Sequence, residues 1–200
     1  MIKSVLFDLD GTLLPFHMDE FMRAYFTHLG KKVAHVMEPK QFMKQLLAST
    51  GVMIANEDGK QTNQQVFSEH FFATVNLAEE VLLPIMNDFY ENEFSLLQEV
   101  TRKDAAARVA VNTVLSSGLD VVVATNPIFP LVATQQRLEW AGLGDITFKL
   151  VTTYENSHFC KPNTQYYEEI VGKLGCQPHE CLMVGNDVEE DLAAAKIGMK

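Results

Sequence analysis

Four short apolar runs punctuate the chain, at residues 2–9, 119–124, 148–152 and 181–185. The second contains Val121-Val122-Val123-Ala124 with no polar interruption. A strand covered on both faces needs that continuity, whereas a half-exposed strand alternates. Between the last three runs the apolar spacing becomes helical. Over 104–115, Ala105, Val109, Asn112 and Leu115 are expected largely to share one face. Tyr167, Ile170, Val171 and Leu174 repeat at helical spacing, and Gly175 is placed to end that helix. Strands alternating with helices predict an α/β fold with a doubly wound parallel sheet.

Residues 15–101 follow a different rule, with helix-period clusters and no convincing strand. Phe21, Tyr25, Phe26 and Leu29 form one apolar face, Phe42, Leu46 and Leu47 a second, and Val66, Phe67, His70 and Phe71 a third. Pro39 and Thr62 stand where helix starts are expected, and Asn56-Glu57-Asp58-Gly59 reads as a turn. A further helix is expected over much of 84–97. A helical module of residues 15–101 is therefore inserted into an α/β core of residues 1–14 and 102–200.

Composition narrows the class of function. Apolar residues make up 47% and charged residues 21% of the 200-residue chain, as in ordinary globular proteins. A formal net charge of −10 argues against a nucleic-acid partner, because phosphate backbones demand clustered Lys and Arg. No apolar run approaches the length of a membrane span. Cys160, Cys176 and Cys181 lack metal-ligand spacing and read as reduced thiols, so a cytoplasmic location is expected.

The chemistry concentrates just after the four apolar runs. Asp8-Leu9-Asp10-Gly11-Thr12 follows the first. Residues two apart in extended chain point the same way, so both carboxylates face one site, and Gly11 lets the backbone turn. Thr125-Asn126 follows the second run, offering a hydroxyl and backbone N–H groups, although both residues are also common turn formers. Lys161 precedes Pro162 and, alone, would read as a surface charge. Asp187 and Asp191 follow the fourth run four residues apart, on one helix face, where Asp187 could equally be a helix N-cap.

Together these residues resemble the haloacid dehalogenase superfamily, whose order of motifs covers nearly the whole chain. The resemblance implies a Rossmann-like core and makes residues 15–101 a helical cap. It implies that Asp8 is the nucleophile, Asp10 the general acid/base and Lys161 the third-motif lysine. Thr125, with the Asn126 backbone, would bind the phosphoryl group. Mg2+ would be held by Asp8, Asp10 (through its carbonyl), Asp187 and, in support, Asp191. Asn186 stands where many members have Asp, so a register with Asn186 at the metal position stays open. The family usually adds another strand after residue 198, and without it the 181–185 run is an apolar sheet edge that invites self-association.

The implied activity is magnesium-dependent hydrolysis of a small phosphomonoester through an aspartyl-phosphate on Asp8. A carboxylate nucleophile splits hydrolysis into two easier displacements, and cations offset its repulsion from phosphate. The carboxylate at Asp10 points to a phosphatase or a sugar phosphomutase. A non-catalytic binding module on the same fold is the reading from another class. The expected partner is a small phosphorylated metabolite.

Overall fold

A computed structural model describes all 200 residues. Four strands, β1 (Ser4–Phe7), β2 (Asp120–Val123), β3 (Leu150–Val151) and β4 (Cys181–Val184), form one parallel sheet in the order β3-β2-β1-β4. Each lies inside one of the apolar runs. Ser4 to Phe7 of β1 and Val121 to Val123 of β2 are buried throughout, which is why these runs lack alternation.

Helices α1 (Met18–Val33), α2 (Pro39–Ile54), α3 (Asn63–Thr74) and α4 (Glu79–Asp88) fill the segment between β1 and the rest of the sheet. Local chemistry sets their ends. Glu38 accepts from the Gln41 amide ahead of Pro39, and Thr62 forms a reciprocal capping box with Gln65. The two chain crossings lie side by side: Phe16 bridges Thr101, and the Arg102 amide donates to the Pro15 carbonyl. Tyr25, Phe89, Tyr90, Phe94, Phe129 and Trp140 form a continuous aromatic cluster joining these helices to the sheet side.

Helices α5 (Ala105–Ser116), α6 (Leu131–Trp140) and α7 (Thr164–Leu174) complete the fold, with Gly175 left-handed at φ 64° after α7. Three expectations need correction. Helix α5 buries Ala107 and Val111, not the face of Ala105, Val109, Asn112 and Leu115; Val109 is 65% exposed. Leu47 is an exposed residue of α2. The helix expected over 84–97 begins at Glu79, carries Pro84 inside it, and continues through a π turn (Phe89–Glu93) and a 3-10 stretch (Phe94–Val100).

At the β4 edge the Lys200 amide donates to the Cys181 carbonyl and the Met183 amide donates to the Lys200 carbonyl. All three cysteines are free thiols. No helix is long and apolar enough to cross a membrane.

Candidate active site

Every candidate residue lies beyond the carboxyl ends of the strands, where open parallel sheets bind ligands. Asp8 is the first residue after β1, and its amide is fixed on the Val184 carbonyl of β4. Thr125 follows β2 by two residues, and its carbonyl is gripped by Thr152 Oγ1 at 2.8 Å and the Tyr166 hydroxyl at 2.9 Å. Lys161 arrives on the loop after β3, its amide donating to Asn126 Oδ1 at 3.2 Å.

Lys161 is 1% exposed and sits between two carboxylates. Its Nζ donates to Asp8 Oδ1 at 2.8 Å and to Asp191 Oδ1 at 2.6 Å. Burial opposes the ammonium, but the two carboxylates outweigh it and raise its pKa. Asp8 shows the opposite balance: burial pushes its carboxyl up to about 6, against the pull of Lys161. The lysine is therefore a fixed cation beneath an acid that is costly to ionise.

The fourth loop closes over this pair. Asp191 Oδ2 accepts from the Asp187 amide at 3.0 Å, and a Cβ on Gly185 would lie 2.0 Å from that same oxygen, so only glycine fits. The Asp187 carboxylate caps the turn, with Oδ1 taking the Glu189 and Glu190 amides at 2.8 Å each. Asn186 instead reaches toward Asp8 through Thr12. Thr12 Oγ1 lies 2.9 Å from Asn186 Oδ1 and 3.2 Å from Asp8 Oδ2.

Asp8, Asp10, Asp187 and Asp191 do not gather into a ready cluster of three or more metal-ligating side chains. The reason is that each is otherwise engaged: Asp8 and Asp191 on Lys161, Asp187 on backbone amides, and Asp10 on Arg137. The oxygens converging near Thr12 are nevertheless of the kind that suits a hard dication.

Several contributors were not singled out in the sequence. Thr12 links Asp8 to Asn186, Glu190 accepts from Asn126 Nδ2 at 2.9 Å, and Arg137 pairs with Asp10. Arg137 left one signal: it is the charged member of an α6 stripe, Ala133, Thr134, Arg137, Leu138, spaced as a buried face. Of the residues near the first motif, His17 and Met18 are exposed, while Phe16 stacks on Phe21. A small apolar pocket lies at the seam between the inserted helices and the sheet side, walled by Met22, Tyr25, Phe67, Tyr90, Phe129 and Tyr154 among others.

The family model of haloacid dehalogenase-like hydrolases matches residues 2–198, and the chain belongs to that family of hydrolases. Among its relatives, the glyceraldehyde 3-phosphate phosphatase of Methanothermobacter thermautotrophicus is 26% identical, over all of this chain and 84% of that protein. The crystal structure of a HAD phosphatase from Thermococcus onnurineus superposes with a TM-score of 0.59 at 18% identity, covering 99% of this chain and 84% of that one. The HAD-hydrolase YfnB from Bacillus subtilis, bound to magnesium, superposes at 0.56 and 20% identity, covering all of this chain and 86% of that one.

Proposed function

We propose that this chain is a magnesium-dependent phosphatase acting on small phosphomonoesters through an aspartyl-phosphate on Asp8. The observation that carries the reading is the buried Asp8–Lys161–Asp191 array at the strand tips, with Thr125 on the neighbouring strand's loop. In the first displacement the Asp8 carboxylate attacks phosphorus, the bond from phosphorus to the organic oxygen breaks, and Asp10 gives that oxygen a proton. In the second, Asp10 takes a proton from the attacking water and the bond between phosphorus and Asp8 breaks. Thr125 Oγ1 and the Asn126 amide hold phosphoryl oxygens, and Lys161 offsets charge on Asp8 and phosphate.

Magnesium suits the all-oxygen set of the Asp8 carboxylate, the Asp10 main-chain carbonyl and the fourth loop. The position of Asn186 beside Thr12 favours the register in which Asn186, rather than the capping Asp187, faces the ion. Asp191 acts in support through Lys161. When bound, the cation would neutralise phosphate and nucleophile charge. Its affinity by titration calorimetry is expected to fall as pH drops through about 6, because proton and cation compete for Asp8. Equal affinity at about pH 8 and about pH 5 would remove Asp8 from the ligand set.

A chromogenic aryl phosphate is the suitable first substrate, because its released phenol is read directly. Phosphate release from 4-nitrophenyl phosphate is expected with magnesium and not with EDTA. Absence of magnesium-dependent release, across aryl phosphates and a panel of phosphorylated metabolites, would overturn the reading. Asp10→Asn is expected to slow turnover about a hundred- to ten-thousand-fold, the usual worth of a proton-transfer group.

A further inference from the structure

We propose that Arg137 is the positioning residue of Asp10, fixing which carboxylate oxygen faces the leaving group; the inference rests on the phosphatase reading above. Arg137 is 0% exposed, and its guanidinium is held on three sides before it meets Asp10. Nε donates to the Ala133 carbonyl at 3.3 Å, one terminal nitrogen donates to Thr134 Oγ1 at 3.1 Å, and the Phe129 ring lies 4.7 Å from Cζ. The other terminal nitrogen donates to Asp10 Oδ2. Thr125 Oγ1 is 3.5 Å from that same oxygen.

The two oxygens of Asp10 are thereby made unequal. A guanidinium has donors and no acceptor, so Oδ2 is committed as an acceptor. The guanidinium beside Oδ2 disfavours a proton there, so a proton that Asp10 carries is favoured on Oδ1. That atom is buried and has no hydrogen-bond partner in the protein. Buried polar atoms are rarely left unpartnered, and an oxygen that exchanges its proton with substrate and water has a reason to be. A purely structural account is weaker, because a buried ion pair seldom stabilises a fold more than apolar packing of the same volume. Arg137 thus converts a two-fold symmetric carboxylate into an oriented acid, held from a helix.

The test compares two esters that differ in how far they need that proton. Phenyl phosphate leaves a strongly basic oxygen and depends on the acid; 4-nitrophenyl phosphate leaves a weakly basic one and does not. The quantity to read is kcat/KM, which reports only steps through formation of the aspartyl-phosphate and is blind to the later, shared attack of water. Arg137→Gln is expected to lower kcat/KM about ten- to hundredfold for phenyl phosphate and only about two- to threefold for the nitrophenyl ester. Arg137→Lys, a point charge without the planar fork, should show the same selectivity with a smaller loss. Equal losses on both esters, or no loss, in a variant that melts cooperatively would overturn the proposal. If the glutamine variant does not fold, the lysine variant decides on the same criterion. A wild-type protein inactive on both esters and on the metabolite panel removes the phosphatase reading and this inference with it, an outcome distinct from failure in the variants alone.

Discussion

Asp8→Asn is expected to abolish phosphate release, by about a million-fold, and at the same time to make the metal-free protein more stable. The first effect follows from removing the proposed covalent nucleophile, whose loss in hydrolases of that kind acts on this scale. The second follows from the price of ionising Asp8 where it stands. Burial lifts its carboxyl from the ordinary 3.8 to about 6 despite Lys161. A carboxyl whose folded pKa is raised binds its proton more tightly in the folded state. Above pH 6 the ionised acid therefore lowers stability, by about 3 kcal/mol for a shift of this size. As pH falls from about 6 toward about 4 that penalty disappears. The amide is never ionised, so the gap between variant and wild type should be widest above pH 6 and close toward pH 4. Urea unfolding in EDTA across that range measures it. Saturating magnesium should shrink the gap from the other side, by favouring the ionised carboxylate in the wild type. A variant no more stable than wild type at about pH 8 would show that Lys161 fully compensates the burial of Asp8.

The same burial explains what could and could not be read from the chain. β1 and most of β2 are buried and leave an unbroken apolar signature, while the partly buried β3 and β4 still lie in short apolar runs, so all four were visible, and with them the loops that follow them. Asp8, Thr125, Lys161 and the fourth loop are placed together because they follow β1, β2, β3 and β4 of one parallel sheet. Helix phase was harder. In α5 the alanines at 105, 106, 107 and 110 carry little contrast, so packing chose Ala107 and Val111 over Val109. Pro84 looks like a helix start, yet α4 runs through it because Leu82 and Met86 are buried around it. Side-chain pairing was least visible. Nothing in the spacing distinguishes a lysine in solvent from Lys161 between two acids, or a capping Asp187 from a metal ligand. Those roles are fixed by contacts between segments far apart in the chain, such as the Thr12–Asn186 and Asp10–Arg137 pairs.

Lys161→Met is expected to lose about 3–5 kcal/mol of stability at neutral pH, the scale at which removing one partner strands a buried charge. Here two carboxylates are stranded, since Asp8 and Asp191 both bond to the same Nζ and neither is more than 9% exposed as a side chain. Methionine fills the volume of the lysine stem, so the loss is electrostatic rather than a cavity effect. Two measurements separate these causes. First, the deficit should shrink as pH falls toward about 6, because without the pull of Lys161 the Asp8 carboxyl takes up its proton above that value and one of the facing charges is removed. Second, the double variant Lys161→Met/Asp8→Asn should recover part of the deficit, giving a coupling energy of about 1–3 kcal/mol in a double-mutant cycle. Additive losses and a pH-independent deficit would mean that the lysine's packing, not its charge, holds the strand tips together. Lys161 would then be a structural residue and the electrostatic frame around Asp8 would need another cation.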